Sequence, residues 1–171
     1  MLRFTTIAKI ATVSVMTVLV GMSANAAERI SDFSLVDANG RFFQLSRHGD
    51  EQAIVLFAYD PASRDARRAA ADLADVAEQF DGQKVEFLLI NSTGSADKLA
   101  MREAAEKEGI TLRVLMDDTQ LVAKELGLSR SSEVVILDPS AKEVVYRGAL
   151  NDRFAEGSRV PVLNGGDGAN E

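Results

Sequence analysis

Two apolar runs with a helical segment between them constrain the fold more than any other feature of this chain. AIVLFAY, residues 53–59, is apolar throughout, and KVEFLLIN, residues 84–91, contains the apolar stretch FLLI. Runs of this kind are typical of strands that are covered on both faces, as in a parallel sheet. Residues 64–80 carry apolar side chains at helical spacing. These are Ala69, Leu73, Val76 and Phe80. The pattern predicts two parallel strands joined by a helix.

The rest of the chain continues the alternation of strands and helices. FSLVDANGRFFQLS, residues 33–46, predicts a β-hairpin around Asn39-Gly40, because both residues tolerate positive φ. A helix is predicted over residues 96–108, and a short one is expected after a capping box formed by Asp117 and Gln120. Further strands are predicted at 112–117, 133–138 and 143–148. This order indicates an α/β sandwich around a mixed sheet, parallel in its first half and antiparallel at its C-terminal edge.

The first 26 residues are predicted to be a signal peptide. Arg3 and Lys9 precede an apolar run from Ile10 to Val20, and Ala24-Asn25-Ala26 is a small-x-small cleavage pattern. The run is shorter than the ~20 residues that span a bilayer. We therefore expect export to the periplasm or beyond the cell, with cleavage after Ala26.

A single domain is predicted over residues 27–153, followed by a flexible, glycine-rich tail over 154–171 that has no periodicity. The chain has 26 acidic and 19 basic residues, and two of the basic ones lie in the predicted leader. So acidic a domain disfavours nucleic acid and anionic membrane surfaces as partners. The sequence contains no cysteine, which excludes disulfides, thiolate metal sites and thiol catalysis. No metal and no cofactor are expected.

The order of the elements resembles the thioredoxin-like superfamily, and within it the redoxin branch of the alkyl hydroperoxide reductase/thiol-specific antioxidant type. The resembling phrases extend from residue 33 to about 153. They are FSLVDANGRFFQLS, IVLFAY, VEFLLINS, VLMDDTQLVAKELGL, SEVVILDP and VVYRGALNDR. The resemblance implies a thioredoxin-like sandwich with a central mixed sheet, flanking helices and an N-terminal β-hairpin. It also implies an oxidoreductase whose active-site cysteines are missing here.

Three alignments of the missing redox centre are compatible with the resemblance. Redoxins of thioredoxin type carry Cys-x-x-Cys-Arg at the start of the helix after the first long strand, which corresponds here to Ser63, Ala66 and Arg67. A peroxiredoxin register places the peroxidatic cysteine at Arg68. A third register, with a gap, lays residues 60–64 on Cys-Pro-x-x-Arg. None of them contains a thiol.

A second family feature is altered before the fourth strand of the superfamily fold. Members usually carry a cis-proline there, in a phrase such as Arg-Thr-Pro-Glu. This chain reads Arg130-Ser131-Ser132-Glu133, so Ser132 stands at the proline position. The absence of the proline together with both cysteines is typical of a domain that no longer maintains a redox centre. Since Arg130 and Glu133 still match the phrase, the shape of the loop is expected to persist.

Polar residues near the 60–68 turn offer other sites. Ser63 would need a base to act as a nucleophile, but the one histidine, His48, is predicted at the far end of a strand about 20 Å long. Ser63 is therefore predicted to cap the helix. Asp60 and Asp65 are expected to satisfy its first N–H groups. The pair Asp117-Asp118 could ligate a cation such as Ca²⁺, but helix capping is the favoured interpretation.

Three arginines, Arg64, Arg67 and Arg68, cluster at the start of the same helix and could bind a small anion or carboxylate. Arg68 has Asp65 and Asp72 at helical pairing distance. Arg67 has no acidic residue at either spacing and is predicted to be the freest of the three.

The sequence thus favours an exported binding domain without catalytic residues. The resemblance implies a groove between the Ser63 turn and the Ser132 loop, and the expected partner is an exported protein or peptide lying in this groove. Two alternatives stay open: a thiol-disulfide oxidoreductase or peroxiredoxin-like antioxidant, from the resemblance alone, and a small-anion binder. Expected groove or ligand contacts are Asp60, Arg64, Arg68, Arg130 and Glu133.

Overall fold

The structure is a computed structural model and describes residues 28–95 and 97–150. The predicted signal peptide, the tail and Arg153 lie outside the described residues. Within the described residues, no helix combines the length and the hydropathy required to cross a membrane.

Eight strands of the described chain form one mixed sheet. They are β1 (Glu28–Arg29), β2 (Ser34–Asp37), β3 (Phe42–Gln44), β4 (Ala53–Ala58), β5 (Val85–Asn91), β6 (Arg113–Met116), β7 (Glu133–Asp138) and β8 (Glu143–Ala149). Their order across the sheet is β1-β8-β7-β4-β5-β6-β2-β3. The central trio of β4, β5 and β6 is parallel, which confirms the α/β class and the two predicted buried strands.

One prediction about the sheet is wrong, because antiparallel pairing occurs on both sides of the parallel trio. β7 and β8 are antiparallel as predicted, but the N-terminal hairpin also joins the sheet, with Val36 of β2 opposite Met116 of β6. The hairpin signal is local and says nothing about which strand the hairpin pairs with. β1 is too short to show any periodicity, so it was not expected.

Both faces of the trio are covered, which explains the uninterrupted apolar runs. Val55, Phe57 and Leu89 belong to a core under helices α1 (Arg64–Gln79) and α2 (Lys98–Lys107). Alternate residues such as Leu56 and Leu88 belong to a second core under helix α3 (Leu121–Glu125) and a 3-10 helix, Leu45–His48. Because successive strand side chains point to opposite faces, a strand between two cores needs apolar residues at every position.

The buried face of α1 differs from the predicted one. Ala69 and Leu73 are buried as expected, but Val76 and Phe80 are more than a third exposed. The helix instead buries further alanines in its first three turns. These are Ala66, Ala70 and Ala74. Small side chains let the helix lie close to the sheet, whereas Phe80 contacts the ring of Phe87 at 5.5 Å between centroids.

Asp37 organises the turn between β2 and β3. Its buried carboxylate accepts hydrogen bonds from the backbone N–H groups of Asn39 (2.9 Å) and Arg41 (2.8 Å). Of the two residues predicted to accept positive φ, Gly40 alone adopts it, at 81°. The hairpin is therefore held by a side chain as well as by its glycine.

Candidate functional site

The carboxyl ends of β4, β5 and β6 lie side by side, and buried polar groups connect them. The side-chain N–H of Asn91 donates to the Tyr59 carbonyl at 3.1 Å, and the backbone N–H of Asp117 donates to the Asn91 carbonyl at 2.9 Å. Asn91 and Asp117 are fully buried. This edge, where chains leave a parallel sheet, is the usual place for ligand sites in α/β folds.

Asp117 caps α3 alone, so the predicted capping box with Gln120 is wrong. Its carboxylate accepts the N–H of Ala123 at 2.9 Å and the hydroxyl of Ser92 at 2.9 Å. Gln120 adopts a left-handed backbone, φ 60°, and turns its amide to the Ser92 carbonyl at 2.8 Å. The favoured role for Asp117, helix capping, is confirmed. No group of residues suited to a metal ion occurs among residues 28–95 and 97–150.

A cavity of about 640 Å³ opens beside this network, on the α3 side of the sheet. Its apolar lining comes from Ala58, Ile90, Leu121, Ala123 and Leu128. Its polar lining comes from three loops that follow strands or α3 and includes Ser92, Thr93, Thr119, Gln120, Ser129 and Ser131. Its charged residues are Asp60, Lys124 and Arg130. We refer to it below as the strand-end cavity.

The turn between β4 and α1 is organised by short polar side chains. The Ser63 hydroxyl accepts the N–H of Ala66 at 3.2 Å, which confirms Ser63 as the N-cap of α1. Asp60 accepts the N–H of Ala62 at 2.8 Å, so it stabilises the turn rather than the helix. Asp65 lies in the first turn of α1. The Ser63 and Asp60 side chains therefore bind the backbone of the turn, and no base is placed against the Ser63 hydroxyl within the described chain.

His48 lies at the opposite end of β4 from Ser63, as predicted. Its Nδ1 is 2.6 Å from Glu86 Oε2, and its ring stacks on Phe43 with centroids 4.7 Å apart. Glu86 is near the start of β5, whereas Ser63 follows the end of β4. A Ser-His pair is therefore not formed.

The prediction that Arg67 is the freest arginine is wrong. Its Nε is 3.1 Å from Glu108 Oε1, just after α2, and its Nη1 donates to the Pro61 carbonyl at 2.7 Å. Glu108 is remote in sequence, so helical spacing could not reveal this ion pair. The predicted pairing of Arg68 with Asp65 and Asp72 is also absent from the ion pairs of the described chain.

Ser132 has a geometry that the sequence did not indicate. It has φ 73° and is buried, and its N–H donates to the Ala58 carbonyl at 2.9 Å. None of the peptide bonds in the described chain is cis. Glu133 accepts the N–H groups of Ser129 (2.8 Å) and Arg130 (3.0 Å). The predicted proline position is thus occupied by a left-handed serine that is hydrogen-bonded to β4, and the Glu133 side chain holds the preceding loop through two backbone N–H groups.

Tyr59 carries the most unusual polar group near this turn. Its side chain is 2% exposed, and its hydroxyl has no hydrogen-bond partner among the described residues. Burial raises the pKa of Tyr59, nearby Glu108 and Asp60 raise the pKa further, and Arg67 partly opposes them. Sequence reasoning treated Tyr59 only as the end of an apolar run, so this hydroxyl was missed.

Replacing Tyr59 by Phe is expected to stabilise the protein by about 1 kcal/mol, because it removes a buried hydroxyl without a partner and keeps the ring packing. Urea unfolding followed by circular dichroism measures this change. Tyr146→Phe is the matched control, since Tyr146 is 45% exposed and its hydroxyl donates to the Ala149 carbonyl. Loss of more than about 1 kcal/mol in Tyr59→Phe would show that the hydroxyl does have a partner.

Residues 26–150 match the AhpC/TSA family. The chain belongs to this family. The redoxin resemblance and the thioredoxin-like fold expected from the sequence are thereby confirmed, and the absence of cysteine holds for the entire chain. No curated protein matches the chain.

Solved structures share the fold. A hypothetical protein of Sinorhizobium meliloti 1021 is 25% identical with a TM-score of 0.64, covering 82% of this chain and 75% of its own. Peroxidoxin BcpB of Mycobacterium tuberculosis is 22% identical with a TM-score of 0.60, covering 72% and 84%. A secreted Mycobacterium tuberculosis disulfide oxidoreductase is 19% identical with a TM-score of 0.57, covering 73% and 92%.

In this cysteine-free AhpC/TSA protein, the predicted site residues do not form one cluster. Asp60 and Arg130 line the strand-end cavity together, whereas Ser63, Ala66 and Arg67 belong to the start of α1 and do not line it. Arg64 and Arg68 of α1, and Ser132 and Glu133 at the start of β7, do not line the cavity either. Sequence reasoning missed the hydroxyl and amide residues after β5 and β6, although their position after predicted parallel strands was a usable signal.

Proposed function

We propose that this protein is an exported, non-catalytic member of the AhpC/TSA family that binds a protein or peptide at the carboxyl end of its sheet. The observation that carries the proposal is that the strand-end cavity lies beside a β4–α1 turn that contains no cysteine. A fold confers chemistry only through its site, and the cavity is large enough to hold a ligand at this edge.

The local hydrogen bonds support a role without catalysis. The Ser63 hydroxyl accepts the Ala66 N–H, and His48 contacts Glu86 at the other end of β4. An unactivated hydroxyl is a poor nucleophile, and it cannot pass through the oxidation states that a thiolate uses with peroxides or disulfides. The oxidoreductase alternative therefore depends on family membership alone.

Export is supported by the N-terminal sequence. The predicted cleavage site after Ala26 falls at the start of the family match, which begins at residue 26. The 25 residues before the match contain the basic and apolar segments of a signal peptide. N-terminal sequencing of the protein recovered from the cell envelope should begin at Ala27.

The small-anion alternative is weakened by the pairing of Arg67. The Glu108 carboxylate, 3.1 Å from the Arg67 guanidinium, already supplies the negative charge that an anion would provide. Phosphate or acetate is therefore expected to leave the melting temperature unchanged, since a ligand raises it only by binding the native state.

The purified protein is expected to consume no hydroperoxide and to reduce no insulin disulfide above the buffer rate, because neither reaction has a thiolate to begin it. Peroxide loss is followed by a ferrous-xylenol orange assay and insulin reduction by turbidity. The samples are treated with a chelator beforehand. Activity that is proportional to protein concentration in either assay would contradict the non-catalytic part of the proposal.

Binding is tested by capture from envelope extract with a variant that blocks the cavity. Ser132 is unsuited to this purpose, because it is buried and has positive φ. Ser131→Trp is suitable, since Ser131 is exposed and lines the cavity. The control is Thr111→Trp, at an exposed position before β6 and at the other end of the sheet. Wild type and the control should recover the same partner, and Ser131→Trp should not. Equal recovery by all three would contradict binding at this edge.

A further inference from the structure

We infer that the strand-end cavity binds the free carboxyl terminus of a peptide whose last residue is apolar. The inference rests on the proposed binding function and specifies its ligand. It follows from three independent properties of the lining: hydroxyl groups whose protons are already used, a lysine, Lys124, that forms no ion pair within the described chain, and an apolar surface.

Three hydroxyl groups of the cavity already donate their protons to the network beneath them. Ser92 donates to Asp117 at 2.9 Å, Thr93 donates to the Asn91 side-chain oxygen at 3.2 Å, and Thr119 donates to Asp117 at 3.4 Å. A hydroxyl whose proton is used can still accept a hydrogen bond. These three residues therefore offer oxygen acceptors, which suit the N–H groups of a peptide backbone.

Gln120 adds to the same preference. Its amide nitrogen donates to the Ser92 carbonyl at 2.8 Å, so its amide oxygen is left as an acceptor. A ligand that brings only acceptors, such as an inorganic anion, would find few donors on this side of the cavity. A ligand with backbone N–H groups can donate hydrogen bonds to these acceptors.

The charge of the cavity favours a carboxylate at one end. Lys124 lines the cavity, is exposed and takes part in no ion pair within the described chain. Arg130 also lines it, and Asp60 is the one acidic residue of the lining. Lys124 therefore brings a positive charge to the cavity of a protein whose net charge is −7. Charge-assisted hydrogen bonds to a carboxylate are among the stronger polar contacts.

The remaining lining suits an apolar side chain. Ala58, Ile90 and Leu128 contribute apolar surface, and Leu121 is 66% exposed at the cavity wall. The volume of about 640 Å³ is within the roughly 300–1,000 Å³ of ligand-binding clefts. Side-chain oxygen acceptors, a lysine and an apolar wall together match the end of a peptide, in which backbone amides, a carboxylate and a side chain lie within one residue of each other.

The test uses N-acetylated tetrapeptides, Ac-Ala-Gly-Ala-X with X as Ala, Leu or Phe, each with a free carboxylate and as the terminal amide. They are titrated into the ¹⁵N-labelled protein, and affinities follow from the chemical shifts. We expect shifts at Ser92, Thr119 and Lys124, tighter binding of Leu and Phe than of Ala, and about tenfold weaker binding of the amides, since they lose the charge-assisted contact.

Lys124→Gln is expected to lower the affinity for the free-acid peptides about tenfold and to leave the affinity for the amidated peptides unchanged. Lys107→Gln, at an exposed position in the last turn of α2, is the control and should bind like wild type. Equal affinities for acid and amide, an unaffected Lys124→Gln variant, or no binding at all would overturn the inference. If Ser131→Trp still abolished partner capture, the proposed function would survive that result. Shifts confined to the Ser63 turn would likewise overturn the inference and leave peptide binding in place.

Discussion

Ser63→Cys/Ala66→Cys is expected to form an intramolecular disulfide and to reduce insulin, an activity that the natural protein is expected to lack. Ser63 is the N-cap of α1, and its hydroxyl oxygen is 3.2 Å from the Ala66 nitrogen. Residues three apart at a helix start lie within the roughly 4.4–6.8 Å Cα separation that a disulfide spans. Ala66 is fully buried, and cysteine is a small hydrophobic residue that suits such a site.

Thiol titration before and after mild oxidation measures disulfide formation. The Ser63→Cys single variant adds a second readout, because a thiol at a helix N-terminus has a lowered pKa. Its reaction with iodoacetamide at pH 7 should be about tenfold faster than that of the exposed control Thr111→Cys. Two thiols that stay unpaired under oxidising conditions would reject the alignment of Ser63 and Ala66 with the redox cysteines and favour one of the other registers.

Asp37→Ala is expected to lower the free energy of unfolding by about 3 kcal/mol. The buried carboxylate accepts hydrogen bonds from two turn N–H groups, and it also binds the guanidinium groups of Arg41 at 2.8 Å and Arg113 at 3.0 Å. Removing it leaves these donors without their acceptor and removes the side-chain link between the β2–β3 hairpin and Arg113 of β6. Urea unfolding measures the loss. The exposed Asp50→Ala is the control and should change stability by less than about 0.5 kcal/mol.

The contribution of Asp37 is also expected to depend on pH. Burial alone would raise the pKa of Asp37, but hydrogen bonds from Arg41 and Arg113 and the charge of Arg41 hold it below the ordinary 3.8. A carboxyl with a lowered folded-state pKa stabilises the protein above its unfolded-state pKa and loses this effect as the pH falls through the folded value. The stability difference between wild type and Asp37→Asn should therefore narrow below about pH 4. A difference that is constant from pH 6 to pH 2.5 would contradict this role of the charge.

Local signals were sufficient for the elements that a short stretch of chain controls. The runs at 53–59 and 84–91 became β4 and β5, since a strand between two cores must be apolar at every position. Ser63 caps α1, because a short oxygen-bearing side chain before a helix satisfies its first N–H groups. Each of these outcomes depends on neighbours within a few residues.

The sequence by itself determined the α/β class through its local periodicity, and it excluded thiol chemistry through the absence of cysteine. The family and the thioredoxin-like fold came from the resemblance of its phrases to redoxins. Tertiary structure alone decided what lies between distant segments: the pairing of β2 with β6, the Arg67–Glu108 ion pair, and the Ser132 N–H bound to the Ala58 carbonyl. It also assembled the strand-end cavity from loops that are far apart in the chain. Such contacts depend on how sheet and helices pack in three dimensions, and helical or strand spacing along the chain contains no record of them.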